Sequence, residues 1–144
     1  MSKERADYQD ADLVLRLYEM RREAVMRESR NAINGKFWPR SYDEVVAVTK
    51  PEHPLNAAYR QVATYWEMVY GLVKHGIVNP DYFLESNGEG MFLFAKIAPY
   101  LDAYRKDVSP TAFGHAEWVA RETATGRRMF ELISARVKKM AEGR

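Results

Sequence analysis

The chain has 144 residues, of which 47% are hydrophobic and 29% are charged. This length fits one domain, and the composition excludes disordered, collagen-like and small disulfide-rich proteins. Twenty-two basic and 20 acidic residues leave a net charge of +2, which is too small to indicate nucleic-acid binding by itself. Because there is no cysteine, disulfides, thiolate nucleophiles and cysteine-ligated metals are also excluded.

The N-terminal region is charged and lacks the apolar run of a signal peptide. The longest apolar stretch, 90–104, is too short to cross a bilayer and contains Lys96, Pro99 and Asp102. We therefore expect a cytoplasmic protein with no membrane-spanning segment and no membrane partner.

The first predicted helix extends from about Asp10 to Asn34. Apolar residues recur along it at helical spacing, and Gly35 follows at a position where a left-handed residue commonly ends a helix. Two charged residues, Arg21 and Glu28, fall in the middle of its apolar face, seven positions apart. Three interpretations of this pair stay open: a solvated helix edge, a buried ion pair with another helix, or a pocket in which Arg21 meets an anionic ligand.

Start signals mark the next helices. A capping box formed by Ser41 and Glu44 predicts a short helix, although the valines after it leave a strand possible. Pro54 suits the first turn of a second long helix, which ends at Gly76. The Asn-Pro pair at 79–80 then predicts another short helix.

The C-terminal half contains two more predicted helices. Residues 91–105 are apolar on most sides, which indicates a central helix that Pro99 should kink. The Ser-Pro pair at 109–110 opens the last helix, whose apolar residues form one packing stripe over 119–140. Gly126 lies on this stripe. We therefore expect it to allow a neighbouring helix to approach closely rather than to end the last helix.

These elements predict an all-α protein with no strand. We expect a single helical domain over 1–144, with 1–9 and 142–144 frayed. About three long helices and two or three short ones would form a helical bundle, since that arrangement buries the apolar stripes.

No catalytic constellation is visible in the sequence. The residues three positions before His53, His75 and His115 are not carboxylates, which excludes the Glu-x-x-His pairs of di-metal bundles. Zinc-protease, phosphate-loop and nucleophile-elbow motifs are also missing from the sequence. We therefore predict no catalytic residue, metal site or cofactor, and we expect the protein not to be an enzyme.

A cluster in the second long helix supplies the remaining candidates. Tyr65 and Trp66 fall on its core side and Glu67 on its polar side. Core packing beside a solvated carboxylate is one interpretation; a contact of Glu67 with Arg21 or Arg60 is the other. The candidate pocket or buried polar residues are thus Arg21, Glu28, Tyr65, Trp66 and Glu67.

Five short runs together point to a family. They are LYEMRR at 17–22, YWEM at 65–68, HG at 75–76, FLESNGE at 83–89 and FAKI at 94–97. In combination they resemble a group of uncharacterised bacterial proteins, small and helical, that is classed as a domain of unknown function. The resemblance covers about Asp12 to Trp118. It implies a bacterial origin and an all-helical fold, and it brings no activity.

Two functions follow as expectations. The first is a non-enzymatic helical protein that self-associates, as a homodimer, and acts through protein contacts, because obligate interfaces resemble a divided core. The alternative is a bundle that binds or senses a small molecule in an aromatic-lined pocket. The basic residues of the last helix indicate a solvated face rather than a nucleic-acid surface.

Overall fold

The computed structural model describes residues 2–144, and Met1 lies outside them. Within that range the chain is helical and contains no strand, so the predicted all-α class is confirmed. A 3₁₀ turn at Ala98–Tyr100 separates two of the helices. The helices of the described residues are α1 (Tyr8–Arg22), α2 (Ala24–Lys36), α3 (Tyr42–Val48), α4 (Asn56–Lys74), α5 (Pro80–Ser86), α6 (Gly90–Ile97), α7 (Leu101–Asp107), α8 (Gly114–Glu122) and α9 (Ala124–Glu142).

The core is built around α4 and α6. Helix α4 packs against α2 on one side and α8 on another, while α9 packs against both α6 and α8. Every residue of α6 except Phe92 is buried, including the charged Lys96. The apolar periodicity of α4 explains its position, since a broad apolar face must be covered by more than one neighbour.

The prediction of one continuous first helix is wrong, because the chain breaks at Glu23. Its backbone leaves the helical region, with φ −56° and ψ 142°, and divides the segment into α1 and α2. The Glu23 carboxylate then accepts hydrogen bonds from the backbone N–H groups of Val25 and Met26, at 3.1 and 3.0 Å. These bonds satisfy amides at the start of α2 that would otherwise lack partners.

The predicted last helix is also divided. It begins at Gly114 rather than after Pro110, and it breaks at Thr123, whose hydroxyl accepts from the backbone N–H of Gly126 at 2.9 Å. Gly126 itself lies against the end of α8: a Cβ there would be 2.0 Å from the carbonyl oxygen of Val119. The expectation of close approach at Gly126 is therefore confirmed, although the neighbour is the preceding helix.

Two other start signals agree with the structure. Ser41 caps α3 and Asn79 caps α5, each through its side-chain oxygen. Among the described residues, side-chain caps therefore mark the starts of five helices: α1, α2, α3, α5 and α9.

Two further signals do not agree with the structure: Gly35 lies inside α2, which ends at Lys36, and Pro54 precedes α4, which begins at Asn56. At Pro99, where a kink is predicted, the structure has a 3₁₀ turn that divides the segment into α6 and α7.

The N-terminal residues contact the body of the protein. Asp7 caps α1, and Lys3 forms ion pairs with Asp7 and with the fully buried Asp10, at 2.9 and 2.7 Å. The Asn79 side-chain amide also donates to the carbonyl of Lys3 at 2.9 Å. Lys3 and Asp7 belong to the segment 1–9 that is predicted to fray. These contacts hold Lys3 against the start of α5 and Asp7 against the start of α1.

Candidate functional site

The sequence-predicted residues lie on two sides of α4. Arg21, at the end of α1, is half-buried and donates to the side-chain oxygen of Asn87 and, at 3.4 Å, to the carbonyl of Ser86. Its guanidinium also lies 5.5 Å from the centre of the Trp66 ring. Glu28 is exposed, so the buried ion pair considered for these two residues does not form.

Tyr65 and Trp66 are packing residues in this arrangement. Both are buried, and their rings meet edge to face with centroids 5.0 Å apart. The Tyr65 hydroxyl donates to the carbonyl of Leu17 at 2.9 Å, which ties α4 to α1. The Tyr65 hydroxyl is therefore used within the fold rather than offered to a ligand.

Glu67 contacts neither Arg21 nor Arg60 in a hydrogen bond or ion pair of the described residues. Its carboxylate instead accepts from the backbone N–H groups of His115, at 2.8 Å, and Ala116, at 3.1 Å. Those amides open α8, so Glu67 supplies from α4 the cap that α8 lacks in its own sequence. The alternative in which Glu67 pairs with an arginine is wrong.

A cavity of about 470 Å³ lies beside Glu67. Its buried hydroxyls, Tyr59 and Tyr104, hydrogen-bond to each other at 2.8 Å. The carboxylate of Glu67 is occupied by the start of α8, and His115 uses its Nδ1 on the carbonyl of Glu67 at 2.8 Å. Because these four polar groups already have protein partners, they offer a ligand little specific recognition.

A second cavity, of about 630 Å³, has a different character. It lies between α6 and α9, and Trp38 and Pro39, in the segment that follows α2, also line it. We call it the Lys96 pocket. Its lining residues are Trp38, Pro39, Ala95, Lys96, Ala98, Pro99, Tyr100, Phe130, Ser134, Val137, Lys138 and Ala141. None of these described residues is acidic.

Lys96 is the unusual group of this pocket. It is only 4% exposed, and its Nζ donates to the backbone carbonyls of Ile33, at 3.2 Å, and Asn34, at 3.5 Å. The ammonium also lies 4.0 Å from the centre of the Trp38 ring and 4.6 Å from that of Phe92. Among the described residues, no carboxylate forms an ion pair with it.

Burial and a neighbouring cation both disfavour the charged form of Lys96. Burial is the larger cause and the positive charge of Arg144 the smaller one, and together they lower the pKa of Lys96 from 10.5 to about 7. Arg144 lies over the Trp38 ring, 4.3 Å from its centre. A buried lysine without an acidic partner costs stability, and perturbed groups of this kind concentrate at functional sites.

Two further polar atoms beside Lys96 lack partners. The indole Nε1 of Trp38 and the hydroxyl of Ser134 are buried and have no hydrogen-bond partner in the described part of the chain. Both residues line the Lys96 pocket. An indole N–H can only donate, and a buried donor left unpaired costs about 1–3 kcal/mol. The pocket thus combines unpartnered polar groups with apolar walls, which is the usual make-up of a ligand site.

Sequence reasoning missed this site. Trp38, Lys96 and Ser134 belong to three distant segments, so spacing does not connect them. One signal was present: Lys96 is the single charge in the apolar run 91–97. A helix that is apolar on most sides is buried, so a charge within it must be buried too.

The fold and the pocket define an all-helical protein with a cationic, aromatic-lined cavity. The family described as Domain of unknown function (DUF4760) matches residues 6–123, and the chain belongs to it. The resemblance noted in the sequence is therefore confirmed at the level of the family. Comparisons with curated proteins and with solved structures give no significant match.

Two further findings concern the whole described range. Across residues 2–144 no helix combines the length and the apolar character needed to cross a bilayer. The same residues contain no group of three His, Asp or Glu side chains placed to hold a metal ion.

Proposed function

We propose that this protein is a helical bundle that binds a small organic molecule in the Lys96 pocket. The observation that carries the proposal is a buried lysine without an acidic partner at the wall of a cavity of about 630 Å³. That volume lies within the range of about 300–1,000 Å³ typical of ligand pockets. The residues that would contact the ligand are Trp38, Lys96, Phe130 and Ser134, rather than those predicted from the sequence.

Apolar walls and few polar groups support this proposal. Phe130, Pro99 and Val137 provide apolar surface to the lining. Lys96, Trp38 and Ser134 add polar groups to it, and the Trp38 Nε1 and Ser134 hydroxyl have no partner among the described residues. In the cavity beside Glu67, by contrast, the Tyr59 and Tyr104 hydroxyls bond to each other and the Glu67 carboxylate bonds to the start of α8. A protein that binds a metabolite in this way would carry or sense it, and the proposal assigns no reaction to it.

An NMR titration of the ¹⁵N-labelled protein tests the proposal. The probes are three naphthalenes that differ only in one substituent: 2-naphthoate, 2-naphthyl phosphate and 2-naphthalenemethanol. We expect at least one of them to shift the backbone resonances of Ala95, Ala98 and Val137 saturably. If none of the three produces saturable shifts in the pocket, the proposed function is wrong.

A matched pair of variants separates pocket binding from binding elsewhere on α9. Ala141→Trp places a large side chain at the rim of the Lys96 pocket, whereas Ala135→Trp places it at an exposed position outside the lining. We expect Ala141→Trp to abolish the shifts and Ala135→Trp to leave them unchanged. Equal effects of the two variants would place the probe outside the pocket.

Self-association remains a second candidate because of one surface of α1. Tyr8, Leu15 and Tyr18 are 92%, 62% and 49% exposed, and their spacing of seven and three places them on one helical face. A second copy of the chain, presenting the same face, could cover these side chains in a two-fold dimer.

Sedimentation equilibrium tests this second candidate. If α1 mediates a dimer, the wild-type mass should rise with concentration toward twice that of the chain, and Leu15→Glu should keep it monomeric. Leu132→Glu is the control, because Leu132 is 71% exposed on α9, away from α1. A wild-type protein that stays monomeric throughout would contradict the self-association candidate.

A further inference from the structure

The polar side chains that line the Lys96 pocket share one property: they can donate hydrogen bonds. The Lys96 ammonium and the Trp38 indole N–H are donors only, and the Ser134 hydroxyl can donate as well. Lys138 adds a second ammonium to the lining, which among the described residues contains no carboxylate. What this site lacks is a hydrogen-bond acceptor that carries negative charge.

We infer that the pocket recognises an organic anion, a carboxylate or phosphate ester on an apolar body, whose oxygens accept from Lys96 Nζ and Trp38 Nε1. This inference rests on the proposed function, because it names the class of ligand for the same pocket. The recognised group is an anionic oxygen, which a carboxylate and a phosphate ester both provide.

The surroundings of Lys96 favour an anion over a neutral ligand. Its present partners are two backbone carbonyls and two aromatic faces, none of which carries a full negative charge. The ionisable groups around it are Lys138 and Tyr100 in the lining, and Arg144 over the Trp38 ring. Arg40 lies beside Arg144, to whose backbone oxygen it donates at 2.6 Å, and it is not part of the lining.

An anionic oxygen would relieve this concentration of positive charge. It would give the buried ammonium the counter-charge that its burial requires. It would also pair the Trp38 indole and the Ser134 hydroxyl, which are otherwise unsatisfied. Charge-assisted hydrogen bonds are about twice as strong as neutral ones, so an anion gains more here than an alcohol of the same shape.

The rest of the cavity is suited to an apolar body. Pro99 follows α6, and Phe130, Val137 and Ala141 lie on the facing side of α9. A small inorganic anion would leave this surface uncovered. An amphipathic acid would cover it and place its charged end at Lys96.

Isothermal titration calorimetry with the three naphthalenes tests the inference. We expect 2-naphthoate or 2-naphthyl phosphate, or both, to bind about tenfold or more tightly than 2-naphthalenemethanol. The tighter of the two acids identifies the preferred anion. If the alcohol binds as tightly as both acids, the inference is overturned while the proposed function stands; if none binds, both are overturned.

Variants of the donors show whether Lys96 is responsible. Lys96→Met keeps the length of the side chain and removes its charge, and we expect it to abolish the preference for the acids. Lys139→Met removes the same charge from an exposed position outside the lining, and we expect this variant to keep the preference for the acids. An unchanged preference in Lys96→Met would overturn the inference.

A second variant keeps the test informative if Lys96→Met alters the fold. Trp38→Phe retains an aromatic ring beneath the ammonium but removes the indole N–H. We expect it to weaken acid binding severalfold and to leave alcohol binding unchanged. Equal weakening of acid and alcohol would show that Trp38 acts only as apolar surface and would contradict its assignment as a donor to the anion.

Discussion

The carboxylate of Glu67, in the middle of α4, accepts a hydrogen bond of 2.8 Å from the backbone N–H of His115 at the start of α8. Helix starts are commonly capped by a residue adjacent in sequence, but here the residue before Gly114 is Phe113, which is in a left-handed conformation with φ 57°. Glu67 therefore both caps α8 and fixes its position against α4.

We expect Glu67→Gln to lower the free energy of unfolding by about 1 kcal/mol, because an amide oxygen is a weaker acceptor for the helix start than a carboxylate. Urea unfolding followed by circular dichroism measures this change. Glu52→Gln, at an exposed position before α4, is the control and should change stability little. Equal stabilities of the two variants would contradict the capping role.

The lowered pKa of Lys96 makes stability depend on pH. Between about pH 7, where folded Lys96 titrates, and pH 10.5, its ordinary value, the unfolded chain binds a proton that the folded chain has released. The contribution of Lys96 to stability therefore rises with pH over this range. From pH 7 to pH 9 we expect a rise of about 1 kcal/mol per pH unit.

Urea unfolding of the wild type and Lys96→Met at pH 7, 8 and 9 measures this dependence. The variant has no amine at position 96, so its stability should exceed that of the wild type at pH 7 and change less with pH. Lys139→Met should keep the wild-type slope. A Lys96→Met protein with an undiminished slope would show that other groups cause the dependence.

Gly126 is expected to tolerate no side chain. A Cβ at this position would lie 2.0 Å from the carbonyl oxygen of Val119. Relieving this clash would require the backbone of α8 or α9 to shift, which costs free energy. We expect Gly126→Ala to destabilise the protein by at least about 2 kcal/mol. Gly35→Ala is the matched control: it lies within α2 with nothing within 4 Å of the added methyl group, so it should be neutral or stabilising by up to about 1 kcal/mol. Thermal unfolding of both variants should separate them clearly.

Arg21 is expected to contribute modestly to stability. Its partners are a neutral amide and a backbone carbonyl rather than a buried acid, and it is itself half-buried. Arg21→Met should therefore cost about 1 kcal/mol, not the several expected when a buried carboxylate loses its partner. A loss above about 3 kcal/mol in chemical denaturation would indicate a role that these contacts do not explain.

The helix boundaries could be predicted where their determinants are local. Ser41, Asn79 and Pro99 act within a few residues of themselves, so their effects can be read from sequence. The breaks at Glu23 and Thr123 are different, since the apolar periodicity continues across both. Thr123 is a good cap residue, but nothing nearby distinguishes a cap from an ordinary helical threonine.

The candidate site could not be predicted for a related reason. Arg21 and Glu67 are prominent in the sequence as charges beside apolar residues, and the structure uses both in contacts between helices. The Lys96 pocket depends on the crossing of α6 with α9 and on the segment after α2. Helix crossings follow from three-dimensional packing of side chains, which helical periodicity alone does not determine.

The break at Glu23 also divides the first helical segment into parts of unequal local stability. Helix α2 packs on α4 and α6, whereas α1 contacts chiefly α2 and α5 and buries only Asp10, Val14 and Leu17. Since α4 buries nine residues, opening α1 costs much less than opening the core. The backbone amide hydrogens of α1 should therefore exchange with solvent through local unfolding. Those of α4 should exchange only when the whole protein unfolds.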